Sequence, residues 1–203
     1  MDPHRRYGAT VGTQVLDLPV IDLNPELSIA LLISVDHGVA FSTKAGEELG
    51  RRLAGRHIDV IVSVATMGIP LAIETSRALG LDDYVILHKT KKIHLADGES
   101  EPVQSITTAG EQRLILDTAR LPAVRGRNVA VVDDVVSTGG SMGAAVRLVR
   151  RVGGNPVALG CLVTEGSSWK TALGADADLV GALGAIPVFS RGPDGELVEH
   201  WED

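Results

Sequence analysis

The run Val131-Val132-Asp133-Asp134-Val135-Val136-Ser137-Thr138-Gly139-Gly140-Ser141-Met142 limits what this chain can fold into more than any other segment. Just upstream, Val129-Ala130-Val131-Val132 is an unbroken apolar stretch, the pattern of a strand covered on both faces. It ends in two carboxylates and turns through Ser-Thr-Gly-Gly-Ser into a helix. In that helix Met142, Val146, Val149 and Val152 share one face and Arg147, Arg150 and Arg151 the other, before Gly153-Gly154 and Pro156 stop it. A strand, loop and helix in this order aim backbone N–H groups and side-chain hydroxyls at one point, at the positive end of a helix. That is an anion site, and phosphate is its natural guest. Gly139 and Gly140 let the backbone approach the oxygens, while Ser137, Thr138 and Ser141 can donate from their side chains. Asp133 and Asp134, acceptors only when ionised, suit the hydroxyls of a sugar or the waters of a hard cation.

Three common phosphate motifs do not fit. A Walker A loop needs Lys after its last glycine, where Ser141 stands. A dinucleotide fingerprint needs a G-x-G-x-x-G spacing that Gly139, Gly140 and Gly143 do not make, and an acidic pair before it would repel a pyrophosphate. A phosphoacceptor receiver would carry its acidic pair near the N-terminus rather than past mid-chain.

A second strand–loop–helix lies upstream. Ile58 to Val64 is a short β-branched run, Ala65-Thr66-Met67-Gly68 a loop, and Pro70 to Gly80 a helix, followed by the strand Tyr84 to His88. Val157 to Val163 makes a further strand and Ile186-Pro187-Val188-Phe189 the last. Two such units imply an α/β fold, an open and mostly parallel sheet with helices on both faces. Composition agrees: of 203 residues 44% are hydrophobic but only 3% aromatic, so the core is built from Ala, Val, Ile and Leu. Between the units, Lys89 to Arg127 is too long for a crossover. It opens with Lys89, Lys91 and Lys92, and its runs Val103 to Thr108 and Gln112 to Asp117 read as an antiparallel hairpin outside the sheet, a candidate lid over residues 96 to 112.

The single cysteine, Cys161, sits in an apolar run and reads as a core residue. His88 and His94 show no metal spacing. The start of the chain lacks the apolar stretch of a signal peptide, and no apolar run reaches roughly 18 residues, so a cytoplasmic protein without a membrane partner is expected. A net charge of −7 argues against a nucleic-acid partner, though not against a small anion.

The run from 131 to 141 resembles the loop that binds 5-phosphoribosyl 1-pyrophosphate (PRPP) in type I phosphoribosyltransferases. Val64-Ala65-Thr66-Met67-Gly68-Ile69-Pro70-Leu71-Ala72 is similar to the pyrophosphate loop of the purine members, and Lys89 matches a basic residue placed after the next strand. The likeness covers roughly residues 55 to 190. Adenine, xanthine and archaeal hypoxanthine/guanine enzymes, and the PRPP-binding domain of the purine operon repressor, are comparably near.

The resemblance implies a type I phosphoribosyltransferase fold with a small hood and a flexible hairpin lid. It implies one domain over 1–203, its core at about 55–165, with 1–40 and 165–203 as hood and tail. Leu16 to Phe41 is the expected source of the hood. Ser137, Thr138, Gly139, Gly140 and Ser141 would hold the 5′-phosphate, and Asp133 and Asp134 the ribose hydroxyls. Thr66, Met67 and Gly68 would bind pyrophosphate, with Lys89 adding charge; Asp133, Asp134 and Lys89 form the expected catalytic set. Ser105, Thr107 and Thr108 would lie in the lid, and Val135, Val136 and Trp169 would bind the base, Trp169 by stacking. Mg²⁺ is the implied cofactor, held mainly by PRPP itself, and the partners are PRPP and a purine base in a homodimer. Many 6-oxopurine enzymes carry Asp where Ser137 stands, and adenine enzymes commonly carry Ala there and Ala-Arg in place of Thr66-Met67, so the accepted base stays open. Glu101 or Glu111 in the lid is a candidate proton acceptor, and Trp201 a packing residue at the chain end. The expected activity is a purine phosphoribosyltransferase of purine salvage. The alternative is a PRPP-sensing regulator without transferase activity, disfavoured by the acidic charge and by the lack of a helix-turn-helix extension before residue 40 or after residue 190.

Overall fold

A computed structural model describes residues 5–90, 98–103, 112–192 and 196–202. Its centre is a five-stranded parallel sheet of β4 (Val60–Val64), β5 (Tyr84–Leu87), β8 (Asn128–Val136), β9 (Asn155–Glu165) and β10 (Val180–Ile186), in the order β10-β9-β8-β4-β5. β4 is buried along its whole length and β8 from Val129 to Asp133, as unbroken apolar strands under helices on both faces must be. Helices α1 (Gly38–Leu53) and α2 (Gly68–Ala78) cover one face, where Leu49, Leu53, Leu71 and Ala72 meet Ile61, Ala130 and Leu162. Helix α4 (Gly140–Arg151) covers the other, with Met142, Ala145 and Val149 on Val62, Val131 and Cys161. The α/β architecture is the expected one. Cys161 is fully buried in that core.

A second sheet, antiparallel, has the order β1-β2-β3-β11-β12: β1 (Arg6–Val11), β2 (Gln14–Asp22), β3 (Ser28–Ala30), β11 (Val188–Arg191) and β12 (Leu197–His200). Residues far apart in sequence close it. The Asp22 carboxylate accepts from Ser28 Oγ at 2.6 Å, Arg5 Nη2 at 2.9 Å and Arg191 Nη2 at 2.6 Å. These bonds hold its carboxyl well below the usual carboxylate range. This corrects the expected last strand: Ile186 ends β10 of the parallel sheet, while Val188 and Phe189 belong to β11 of the other. β10 itself, Val-Gly-Ala-Leu-Gly-Ala-Ile, escaped sequence reading because glycine lowers strand propensity and its pairing with β9 is long-range. The expected hood segment also ends sooner than Phe41, since Gly38 opens α1 of the main layer. Trp201 is 47% exposed and donates from Nε1 to Glu199 rather than packing.

An antiparallel hairpin is present, and its described first strand lies before the run Val103 to Thr108, of which residues 104–108 are outside the described residues. β6 (Glu99–Pro102) pairs antiparallel with β7 (Arg113–Leu116), and Val103 N donates to Gln112 O at 2.8 Å. β7 joins the edge of the parallel sheet through paired bonds between His88 and Ile115. A short helix α3 (Leu121–Val124) leads into β8, and α5 (Ser168–Leu173) follows β9. No helix among the described residues is long and apolar enough to cross a membrane.

Candidate active site

Strands β4 and β8 are neighbours, Ser63 opposite Val132, and chain connectivity diverges between them. β4 leads through α2 to β5 on one side, β8 through α4 to β9 on the other. Two loops leaving the carboxyl ends of such strands in opposite directions open a crevice, where α/β sheets bind ligands. The two sequence motifs are these loops.

In the first, Ala65 and Thr66 are joined by a cis peptide, and Thr66 and Met67 are exposed. Ser34 Oγ donates to Met67 O at 2.7 Å, tying this loop to the segment after β3. Gly68 is buried against the second loop: a Cβ there would stand 2.4 Å from Ser63 Oγ and 2.8 Å from Asp133 Oδ1. Only a residue without a side chain lets the two loops come this close.

In the second, Asp133 is buried and Asp134 half-buried, and Asp134 N donates to Asp133 Oδ1 at 3.0 Å. Burial pushes both carboxyls above the ordinary range. For Asp133 the charge of Asp134 adds to the rise, and for both the nearby charge of Lys89 opposes it. Lys89 follows β5, exposed, close enough for its charge to act on the pair. Cys161 lies opposite Asp133 in the sheet, and burial pushes its thiol up, so it stays a protonated core residue.

Beyond the acidic pair the chain wraps a cavity of about 110 Å³ lined by Val135 to Met142, at the N-terminus of α4. Gly139 takes the left-handed conformation, φ 77°, at the N-cap, and Thr138 Oγ1 accepts from Gly140 N at 3.4 Å. A Cβ on Gly139 would lie 3.1 Å from Ala172 and 3.2 Å from the Trp169 backbone, so α5 buttresses this turn. First-turn amides, with the hydroxyls of Ser137, Thr138 and Ser141 on the same turn, form an anion cradle.

A larger cavity of about 620 Å³ adjoins it. The β2–β3 turn and the strand after it supply Leu23, Leu27 and Ile29 to Leu32; Asp134, Val135, Ser137, Thr138, Glu165, Ser168 and Val188 complete the lining. Val135 therefore faces this space. Val136 is buried in the core and lines the smaller cavity, not the larger one. Trp169 is buried in the same core and donates from Nε1 to Gly166 O at 3.1 Å; it is not among the lining residues, so the stacking expected of it is not the arrangement found. Sequence reading missed Glu165, the last residue of β9, because the predicted strand stopped at Val163; a carboxylate closing an apolar strand at the crevice edge was the available signal.

Glu101 corrects a further expectation. It is 6% exposed and faces α4, where its Oε1 accepts from Arg147 Nε at 2.8 Å and its Oε2 pairs with Arg151. It anchors the hairpin and is not placed to take a proton in the crevice. Glu111, Ser105, Thr107 and Thr108 lie outside the described residues, as do Lys91, Lys92 and His94. No cluster of three or more His, Cys, Asp and Glu suited to a metal occurs among the described residues.

A model of the phosphoribosyl transferase domain matches residues 42–180. The hypoxanthine/guanine phosphoribosyltransferase of Methanothermococcus okinawensis is 34% identical over 117 residues, 57% of this chain and 59% of that protein. The purine biosynthesis transcriptional repressor PurR of Bacillus subtilis is 28% identical over 121 residues, 60% of this chain and 41% of the repressor. The chain thus spans about half the length of these curated relatives. The adenine phosphoribosyltransferase of Thermoanaerobacter pseudethanolicus shares the fold, with a TM-score of 0.66 at 21% identity, covering 83% of this chain and 95% of that one.

Proposed function

Because this chain belongs to the phosphoribosyl transferase domain family, we propose that it transfers the 5-phosphoribosyl group of PRPP to a purine base, releasing pyrophosphate and a nucleoside 5′-monophosphate. The observation that carries this reading is the meeting of two loops at the divergence of β4 and β8, one a phosphate cradle and the other packed by Gly68 against Asp133. A ligand with phosphate at one end, a ribose in the middle and pyrophosphate at the other matches that sequence of features.

In this reading Ser137 to Ser141 hold the 5′-phosphate through backbone amides and hydroxyls, and Asp133 and Asp134 accept from the ribose 2′- and 3′-hydroxyls. The amides of Thr66, Met67 and Gly68 receive pyrophosphate, with Lys89 offsetting its charge. The base lies in the large cavity beside Val135, under the hood formed by the antiparallel sheet, and residues 1–203 act as one catalytic unit. A base nitrogen forms its bond to C1 of the ribose as the C1–oxygen bond to pyrophosphate breaks, through an oxocarbenium-like state, and the proton that nitrogen carried passes to the departing pyrophosphate or to water. Positioning on two rigid strand ends and neutralisation of the departing charge carry most of the acceleration. The donor set suits Mg²⁺, since Asp133 and Asp134 offer hard oxygen ligands in a pocket whose burial disfavours uncompensated charge. Mg²⁺ would be held by PRPP oxygens with these carboxylates behind the ribose, and it would supply positive charge to the pyrophosphate.

Release of pyrophosphate from PRPP and Mg²⁺ with each of adenine, guanine, hypoxanthine, xanthine and uracil tests the reading; turnover with a purine is expected. The match to the repressor supports a second reading, a PRPP-sensing protein without transferase activity. Tight PRPP binding with no turnover on any base would replace the first by the second. Light scattering tests the homodimer that accompanies the enzyme reading, and cell fractionation its cytoplasmic location.

A further inference from the structure

One carboxylate ties together the apolar wall of the large cavity. Leu23 and Leu27, which line it, lie in the turn 23–27 between β2 and β3. Asp22, the last residue of β2, pairs across that turn with Ser28, the first of β3, and Ser28 pairs in its turn with Phe189 of β11. Ile29 and Val188, opposite each other in β3 and β11, line the same cavity. The Asp22 carboxylate gathers these segments. Its Oδ1 accepts from Ser28 Oγ at 2.6 Å, both oxygens accept from Arg5 Nη2 at 2.9 and 3.0 Å, and Oδ2 accepts from Arg191 Nη2 at 2.6 Å. The turn is also braced within itself. Asn24 Oδ1 accepts from Glu26 N and Leu27 N, each at 2.9 Å, and Leu23 N donates to Leu27 O at 2.9 Å. It is a preformed unit, and its place over the cavity is set at its base, where Asp22 sits.

The side chains of Asp22 and Arg191 are 33% and 44% exposed, so their pairing adds little to global stability. Its effect is one of geometry. A single anion between two guanidinium groups, brought from 17 and 169 residues away, fixes three segments in one arrangement through directional bonds. Without the charge the two guanidinium groups repel each other. A wall fixed before the ligand arrives spares the ligand the cost of ordering it. We propose that Asp22 is a positioning residue for the ring that occupies the large cavity. It holds the β2–β3 turn so that Leu23 and Leu27 form a preset apolar wall for a planar base. The inference rests on the reading of this cavity as the base site.

Calorimetric binding of adenosine, guanosine, inosine and xanthosine 5′-monophosphates, each compared with ribose 5-phosphate, measures what the base adds to affinity without turnover. At least one nucleotide is expected to bind the wild type more tightly than ribose 5-phosphate does. Asp22→Asn should cut that advantage about tenfold and leave ribose 5-phosphate affinity and the melting temperature in place. Leu27→Ala should cut it too, and the double variant should lose little more than the larger single loss, because both changes act on one wall. In pyrophosphate release, Asp22→Asn should raise KM for the base about tenfold while KM for PRPP stays. No base advantage in the wild type, an advantage that Asp22→Asn leaves unchanged, or fully additive losses would overturn the inference. Equal losses of nucleotide and ribose 5-phosphate affinity would overturn it as well, since the cluster would then only hold the fold. If Asp22→Asn fails to fold, Ser28→Ala and Arg191→Gln, which each remove one bond, decide by the same comparison. A base advantage that falls in Asp22→Asn, without pyrophosphate release from any base, would remove the transferase reading and leave the positioning role standing. Pyrophosphate release with a base advantage indifferent to Asp22 would do the reverse.

Discussion

Asp133 lies buried beside Asp134, and burial together with the neighbour's charge raises the pH at which it ionises. A carboxyl whose pKa is higher in the folded chain than in the unfolded one stabilises the fold while it is protonated. That contribution is lost as pH rises through the folded value. Asp133→Asn should therefore be more stable than the wild type at neutral pH and equal to it in acid. Thermal melting across pH checks this; a gap that widens in acid would contradict it. The same change, combined with Asp134→Asn, should abolish PRPP binding, and unchanged affinity would refute the ribose assignment. Gly68→Ala addresses the contact between the loops. Its methyl would press on Ser63 Oγ and Asp133 Oδ1, so a loss of about 1 to 3 kcal/mol in urea denaturation should accompany weakened PRPP binding. At this scale Asp133 and Asp134 were legible as the carboxylates that follow an apolar run, but the strand does not end at them: β8 carries both inside it and pairs with β9 as far as Val136. The roles of Glu101 and Trp169 were not legible, because which neighbour a side chain meets depends on elements distant in sequence.

The hairpin β6–β7 is held to the body by Leu114 and Leu116 in the core, by the paired bonds between His88 and Ile115, and by Arg147 and Arg151 of α4, which meet Glu101 and the carbonyls of Pro102 and Ser100. Both arginines are about half exposed, so removing Glu101 leaves them hydrated, and the loss is smaller than for a fully buried pair. Glu101→Ala should speed amide exchange in residues 99–102 and 113–116 while β4 and β8 stay protected. Uniform acceleration would mean that the contact supports the whole fold rather than the hairpin. Helices α2 and α4 and the central strands were legible at this scale because their periods, 3.6 and unbroken apolar, are local signals, whereas α1 (Gly38–Leu53) was not read. The strand Glu99–Pro102 went unread because Glu99-Ser100-Glu101-Pro102 carries no apolar alternation; its pairing with Arg113–Leu116 and its seat on α4 make it a strand. Arg147 and Arg151 were read only as the helix face opposite the apolar one, and both bind the hairpin.

For the whole molecule, the net charge of −7 gives no long-range pull on an anion as highly charged as PRPP, so in the proposed reaction affinity would come from local geometry and from Mg²⁺. Ligand linkage follows from this: PRPP with Mg²⁺ at about 100 times its dissociation constant should add about 2.7 kcal/mol to stability. Chelating the metal should remove most of the accompanying rise in melting temperature. An equal rise with and without the metal would show that the protein alone neutralises the pyrophosphate. The α/β class, the two strand–loop–helix units and the glycines and hydroxyls of the turn before α4 were determined by sequence alone, because each unit is encoded within about 25 contiguous positions by apolar runs, glycines and hydroxyls. Tertiary structure decided the rest: the neighbouring of β4 and β8, the closure of the hood by β11 and β12 from the far end of the chain, and the presence of Glu165 rather than Trp169 at the large cavity. Those are pairings between segments tens to more than a hundred residues apart, and no local pattern specifies which strand edge or which cavity wall a distant segment will meet.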